Sequence, residues 1–292
     1  MDERWNNQAE YHDDCWVDRF KEGHNSGSHA MHYGIYPDDD QDHQHAKRQT
    51  NDLVAAHIDW DTNHQTFLDI GCGVGGTAIH LGKVARDAGI HPDHWQLVGI
   101  AGSQQQLILA TELATQEGVQ DHVEFFAMDF HNLVLNDDED TDLVYAIESM
   151  CQSWDKGQVL REIKRVLRPG GTFVHIDGCL TVGVKETETW KDCQHLVDAV
   201  CKGFALTDLY DIPLDSHLVE TWTDEDIGDI STQDLTDLVM PGIARSAEKA
   251  RPMIDDTEPG SRWRDHLLAC IAIFQLFDRG IMKYKMTTVD KR

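Results

Sequence analysis

Four glycines, Gly71, Gly73, Gly75 and Gly76, stand directly behind the apolar run Phe67-Leu68-Asp69-Ile70. Such a run reads as a strand, and a glycine-rich turn that opens a helix lets a ligand lie against backbone that a Cβ would block. Nucleotide-like ligands fit this turn, and on its own it leaves NAD or FAD open as occupants. His43 and His45, two apart beside Asp40 and Asp42, have the spacing of surface metal ligands, although an exposed polar loop accounts for them better. Trp5, Tyr11, Trp16 and Phe20 recur at roughly helical spacing and could wall an apolar pocket, a role that ordinary packing fills more often. Residues 241–292 hold ten bases (Arg245, Lys249, Arg251, Arg262, Arg264, Arg279, Lys283, Lys285, Lys291, Arg292) against seven acids. Arginine forks match phosphate oxygens, so this stretch could hold a diphosphate with Mg²⁺ as partner; scattered helix-surface cations explain it nearly as well.

The elements that must position these residues alternate. Strands are expected at 66–70, 95–100, 122–128, 142–147 and 171–177, with helices near 75–88, 103–117 and 155–167 between them. That order implies a parallel sheet with helices on both faces. Arg168-Pro169-Gly170-Gly171 should stop the helix before the fifth strand. A helix over 44–58 precedes the alternation. A helix near 190–205, an irregular acidic stretch near 207–226, a weak strand near 227–232, a basic helix near 241–251, a helix over 263–276 and a last strand at 281–289 follow it. Residues 1–45 read as a helical cap or lid, and 46–292 as one α/β domain with an insertion near 207–226.

The chain has 292 residues, 40% of them hydrophobic, enough for a sizeable core. Its formal charge of −27 disfavours nucleic acid and anionic membrane partners. No apolar window approaches a membrane span and the first residues lack a signal-peptide pattern, so a cytoplasmic protein without an integral membrane segment is expected. The seven cysteines (15, 72, 151, 179, 193, 201 and 270) are odd in number and form no C-x-x-C, so they are expected to be reduced.

Asp69-Ile70-Gly71-Cys72-Gly73 resembles motif I of class I S-adenosylmethionine-dependent methyltransferases, and the resemblance runs in order over about residues 30–178. Asp129 and Phe130, in Phe126-Ala127-Met128-Asp129-Phe130, match the place of the family's adenine contacts. Val159 to Phe173 resembles its approach to strand five. Where most members carry an acid for the ribose, this chain reads Val98-Gly99-Ile100-Ala101-Gly102-Ser103-Gln104-Gln105-Gln106. That form is similar to the tocopherol and cyclopropane-fatty-acid methyltransferases, in which backbone groups and a glutamine serve, here Gln106 with Gln105 a near competitor. The resemblance therefore implies a Rossmann-like, doubly wound seven-stranded sheet. It implies S-adenosylmethionine bound by Asp69, Gly71, Gly73, Ile100, Ala101, Gln106, Asp129, Phe130 and Ile147.

Leu143 to Cys151 (Leu-Val-Tyr-Ala-Ile-Glu-Ser-Met-Cys) resembles the strand-four end of sterol C-24 methyltransferases, and prenyl diphosphate C-methyltransferases are similar here. Both groups methylate a carbon–carbon double bond. The reaction then needs a carboxylate and aromatic faces for the resulting cation, and a base afterwards. Glu148, at the carboxyl end of strand four where open α/β sheets bind ligands, is the candidate, with orientation of the methionine moiety as its other reading. Ser28 to Tyr36 resembles the segment that closes over the sulfonium, which places Tyr33 at the methyl-transfer site with His29 and His32 nearby. The expected reaction is C-methylation of a terpenoid alkene such as geranyl or farnesyl diphosphate, with cyclisation or proton loss to finish. An N- or O-methyltransferase of a small polar metabolite, glycine- or sarcosine-like, is the alternative, and a non-catalytic cofactor-binding module a further one. Neither reading sets the oligomeric state.

Overall fold

The computed structural model describes residues 3–17, 27–37, 42–62, 64–135, 139–209, 221–223 and 225–292. The elements in chain order begin with α1 (Glu3–His12), which runs into a π turn (Asp13–Val17). They continue with α2 (His43–Ala55), β1 (Gln65–Ile70), α3 (Gly76–Asp87), β2 (Trp95–Ala101), α4 (Gln104–Gln116), β3 (Val123–Ala127), β4 (Thr141–Ile147) and α5 (Lys156–Val166). The remainder is β5 (Leu167–Leu180), α6 (Glu188–Asp192), α7 (Gln194–Gly203), β6 (Ile227–Asp234), α8 (Thr236–Met253), α9 (Arg262–Asp278) and β7 (Met282–Lys291).

The seven strands form one sheet in the order β3-β2-β1-β4-β5-β7-β6. β1 to β5 run parallel, while β7 lies antiparallel to both β5 and β6. Successive side chains of a strand leave opposite faces, and the core divides accordingly. Leu143 and Tyr145 join the cluster under α2, α3, α4, α7, α8 and α9; Val144 and Ala146 join the one under α5. Strand order reverses between β1 and β4, so the loops leaving those two strands diverge and open a crevice at the carboxyl edge. Both loops carry the chemistry singled out above, Gly71–Gly76 and Glu148.

The outer elements depart from expectation for local reasons. α5 stops at Val166, before Pro169 as expected, but Arg168-Pro169-Gly170-Gly171 is not a turn outside the sheet. The chain is already extended there, with Leu167 opposite Thr141 and an irregularity between Thr141 and Leu143 absorbing the glycines. The helix expected near 190–205 is two, broken at Cys193. The basic helix starts at Thr236, five residues before expected, because Pro241 lies inside it rather than at its first turn. His43 and His45 sit on the first turn of α2, not in a loop, with Asp42 as N-cap accepting from the His45 N–H at 3.2 Å. Most of the acidic stretch near 207–226, including 210–220, lies outside the described residues, as does Phe20. All seven cysteines are free. Among the described residues no helix is long and apolar enough to cross a membrane.

Candidate active site

The turn after β1 is built by glycine in the left-handed region. Gly71 has φ +84°, and a Cβ there would lie 2.3 Å from the Ser149 Cβ in the loop after β4. The N–H groups of Gly71 and Cys72 both donate to the Ile100 carbonyl on β2 at 2.9 Å, and the Ser149 hydroxyl donates to the Ile70 carbonyl at 2.5 Å. Three strand ends are thereby tied into one floor. A Cβ at Gly76 would strike Ala30 at 2.6 Å, so the segment 28–36 crosses directly over the turn. Gly73 approaches the Met31 sulfur on its own side of that crossing, where an added Cβ would stand 3.3 Å away.

Below this roof lies a cavity of about 430 Å³. Asp69, Gly71, Gly73, Ala101, Gln106, Phe130 and Ile147 line it. Two of the expected cofactor contacts do not. Ile100 is buried in the core, and its carbonyl, not its side chain, serves the site by holding the turn. Asp129 points its Oδ1 at His131, accepting from the backbone N–H at 2.9 Å and standing 2.7 Å from the ring Nδ1. Asp69 is fully enclosed, and burial raises its carboxyl to about 7, a rise the neighbouring Tyr145 moderates. Ser103 caps α4, accepting from the Gln106 N–H at 3.1 Å, and its hydroxyl donates to Asp13 of the amino-terminal segment. A cradle that a Cβ would fill, an amide side chain at its rim and an apolar ring beside it fit an adenosyl ligand.

The other end of the cavity is organised around Glu148. Its backbone is held at φ +49°, unusual for a residue with a Cβ and of a kind that collects at functional sites. Oε1 accepts two hydrogen bonds, from the Tyr33 N–H at 3.1 Å and from the Tyr284 hydroxyl at 2.7 Å. Burial raises the carboxyl to about 7; the Tyr284 and Tyr33 bonds and, more weakly, Lys47 oppose the rise, while Asp177 adds to it. The phenols of Tyr33 and Tyr284 are pushed up by burial and stay protonated. The sequence brought Tyr33 and Glu148 forward together. It missed Tyr284, which arrives from β7, and Asp177, whose oxygens accept from the N–H groups of Gly178 at 2.8 Å and Cys151 at 3.0 Å.

His29 also borders the cavity, but its Nε2 is engaged 2.9 Å from Glu117, which Lys83 also contacts at 2.7 Å. That pairing leaves the ring with α3 and α4 instead of with Glu148. His32 bonds Asn51 at 2.9 Å, and burial lowers it to about 3, so it is a neutral packing group. Tyr11 lines the cavity and its hydroxyl meets His266 Nδ1 at 3.0 Å; the side chains of Trp5 and Trp16 lie outside the described residues. The basic residues of 241–292 separate. Arg262 pairs with Glu10, Lys283 with Asp234 and Lys291 with Glu139, whereas Arg245 and Lys249 face the cavity. Among the described residues no group of three or more His, Cys, Asp or Glu side chains is placed to hold a metal ion.

Residues 68–175 match a protein family described as a methyltransferase domain. Over these residues the chain carries a methyltransferase domain. The chain is 25% identical to the chloroplastic tocopherol O-methyltransferase of Arabidopsis thaliana, over 91% of this chain and 77% of that one. It is 34% identical to the sterol 24-C-methyltransferase of Eremothecium gossypii over 45% of this chain and 33% of that one. Among solved structures, the geranyl diphosphate C-methyltransferase of Streptomyces coelicolor superposes with a TM-score of 0.70 at 17% identity, covering 100% of this chain and 99% of that one, a likeness of fold. The chain spans half the length or less of some of the curated relatives it matches.

Proposed function

We propose that this methyltransferase transfers the methyl group of S-adenosylmethionine to an alkene carbon of a terpenoid, geranyl or farnesyl diphosphate being acceptors of the right character. The observation that carries the reading is the pairing of one buried carboxylate, Glu148, with apolar and aromatic walls that include Tyr33, Phe204, Trp263, Leu267 and Phe277. Polar side chains are present in the lining, but its exposed surface is mostly apolar, which suits an apolar acceptor better than a small polar one. A sterol 24-C-methyltransferase among the relatives points the same way.

The sulfonium donor supplies an electrophilic methyl carbon. Asp69, the glycine turn and Gln106 hold the donor, Ile147 and Phe130 flank it, and the roof formed by segment 28–36 excludes water. The alkene π pair forms the new carbon–carbon bond as the sulfur–methyl bond breaks, which leaves one positive charge on the acceptor. Aromatic faces and the Glu148 carboxylate stabilise that charge without neutralising it prematurely. Both donors to Glu148 engage Oε1, so Oε2 is the oxygen left to take the proton. Loss of that proton from the adjacent carbon restores the alkene, directly or after ring closure. A carboxyl poised near 7 can act as the base at neutral pH.

Glu148→Gln tests the reading. The amide keeps the size and the acceptor oxygen but cannot take the proton, so turnover should fall by roughly 10²-fold or more, the usual worth of a positioned base. Affinity for S-adenosylmethionine, measured by calorimetry, should change less than about threefold. A variant that turns over at the wild-type rate would remove Glu148 from the chemistry.

A further inference from the structure

We propose that Arg245 and Lys249, with the buried Lys47 behind them, form an anion-binding rim at the mouth of the acceptor cavity and hold a phosphate or diphosphate head group. The rim rests on the proposed reading only in taking this cavity as the acceptor site. α2 presents His43 and Lys47, and α8 presents Arg245 and Lys249; each pair is spaced i, i+4, so each forms a row on one helix face. All four side chains line the cavity. The two rows are fixed relative to each other by the chain between them. Ile35 N–H donates to the Ala46 carbonyl of α2 at 3.1 Å and Tyr36 N–H to the Leu238 carbonyl of α8 at 2.8 Å. Gly242 closes the seam, because a Cβ there would strike the Tyr33 carbonyl at 2.5 Å.

Arg245 and Lys249 supply the charge at this rim, while the Lys47 charge is shared with Glu148. In a chain of formal charge −27, neither Arg245 nor Lys249 makes an ion pair among the described residues, whereas Arg262, Lys283 and Lys291 do. Lys47 is buried, with its ammonium on the Ala30 carbonyl at 2.6 Å, directly over the glycine turn. His43 registers the field: after burial, Lys47, Arg245 and Lys249 all act to hold it down, at about 4. A multiply charged, tetrahedral anion answers this set better than a carboxylate does. The arginine fork can take two oxygens while the ammonium groups act as point charges.

The rim also gives the cavity a direction. A head group held at the exposed side chains of Arg245 and Lys249 leaves the apolar tail as the part delivered towards Glu148 and the methyl-transfer site. A neutral acceptor would lack this orientation. The same phosphoanion chemistry could come from the acceptor's own head or from free inorganic pyrophosphate.

The full chain, titrated with inorganic pyrophosphate in a calorimeter, should show saturable binding. The double variant Arg245→Gln/Lys249→Gln should weaken it roughly tenfold or more, since each charge-assisted bond is worth about a factor of ten. S-adenosylmethionine affinity should be retained, which shows that the variant is folded. In turnover, the same variant should raise KM for geranyl diphosphate by a similar factor while leaving geraniol unaffected. Absence of pyrophosphate binding to the wild type, or equal binding by the double variant, would overturn the rim. Pyrophosphate binding as expected with no methylation of geranyl diphosphate would keep the rim and refute the alkene reading, so the two failures are distinguishable.

Discussion

At Glu148 two donors of different origin meet one oxygen. The Tyr33 N–H comes from the strap over the glycine turn, and the Tyr284 hydroxyl from β7, a sequence separation of 136 residues. Both favour the carboxylate, against burial, which favours the acid. Removing the hydroxyl in Tyr284→Phe therefore raises the Glu148 pKa further. With Glu148 as the proposed base, activity should rise with pH through that pKa, and the rising limb, near 7 in the wild type, should move upward by roughly one unit in the variant. Turnover should fall several-fold at pH 7 and recover at higher pH; a superimposable profile would show that Tyr284 does not position the carboxylate. Tyr33 and Glu148 were legible in the sequence because each sits in a short motif beside a strand end or a glycine. Tyr284 was not, since only the antiparallel pairing that sets it opposite Gly178 brings it to the site.

At the scale of elements, the glycine turn owes its shape to backbone that no other residue adopts cheaply. Gly71→Ala combines left-handed strain, about 1–2 kcal/mol, with a collision against Ser149 that would pry apart the loops after β1 and β4. Gly89, with φ +75° and open space around it, provides the control: Gly89→Ala carries the strain alone. Gly89→Ala should lower Tm by a few degrees with S-adenosylmethionine affinity unchanged, whereas Gly71→Ala should lower Tm and abolish measurable affinity. Equal binding by the two variants would mean that the close approach at Gly71 is irrelevant. The parallel half of the sheet was readable because apolar runs separated by Gly, Pro and cap residues fix both type and order. The later half was less so. The basic helix expected near 241–251 begins at Thr236, with Pro241 inside α8, and Cys193 divides a helix that hydrophobic periodicity joins.

Over the whole molecule, the acceptor chamber is a product of distance in sequence. Its walls are drawn from residues as far apart as Tyr11 and Tyr284, and no local pattern announces them. α1 closes one side through Tyr11 on His266, Arg262 on Glu10 at 2.9 Å and the Gln8 amide on the Gln152 carbonyl. The basic excess near the carboxyl terminus looked like one feature in the sequence. Folding separates it: Arg262 and Lys283 make half-exposed ion pairs worth little individually, Lys291 is buried against Glu139, and Arg245 and Lys249 reach the cavity. The proposed reaction requires the apolar chamber to present an alkene to the donor. Incubating the protein with methyl-labelled S-adenosylmethionine and a panel of geranyl diphosphate, farnesyl diphosphate, a sterol, sarcosine and small amines, read by mass spectrometry, tests it most directly. The label should appear on carbon in a terpenoid product; label found only on nitrogen or oxygen of a small polar acceptor would contradict it.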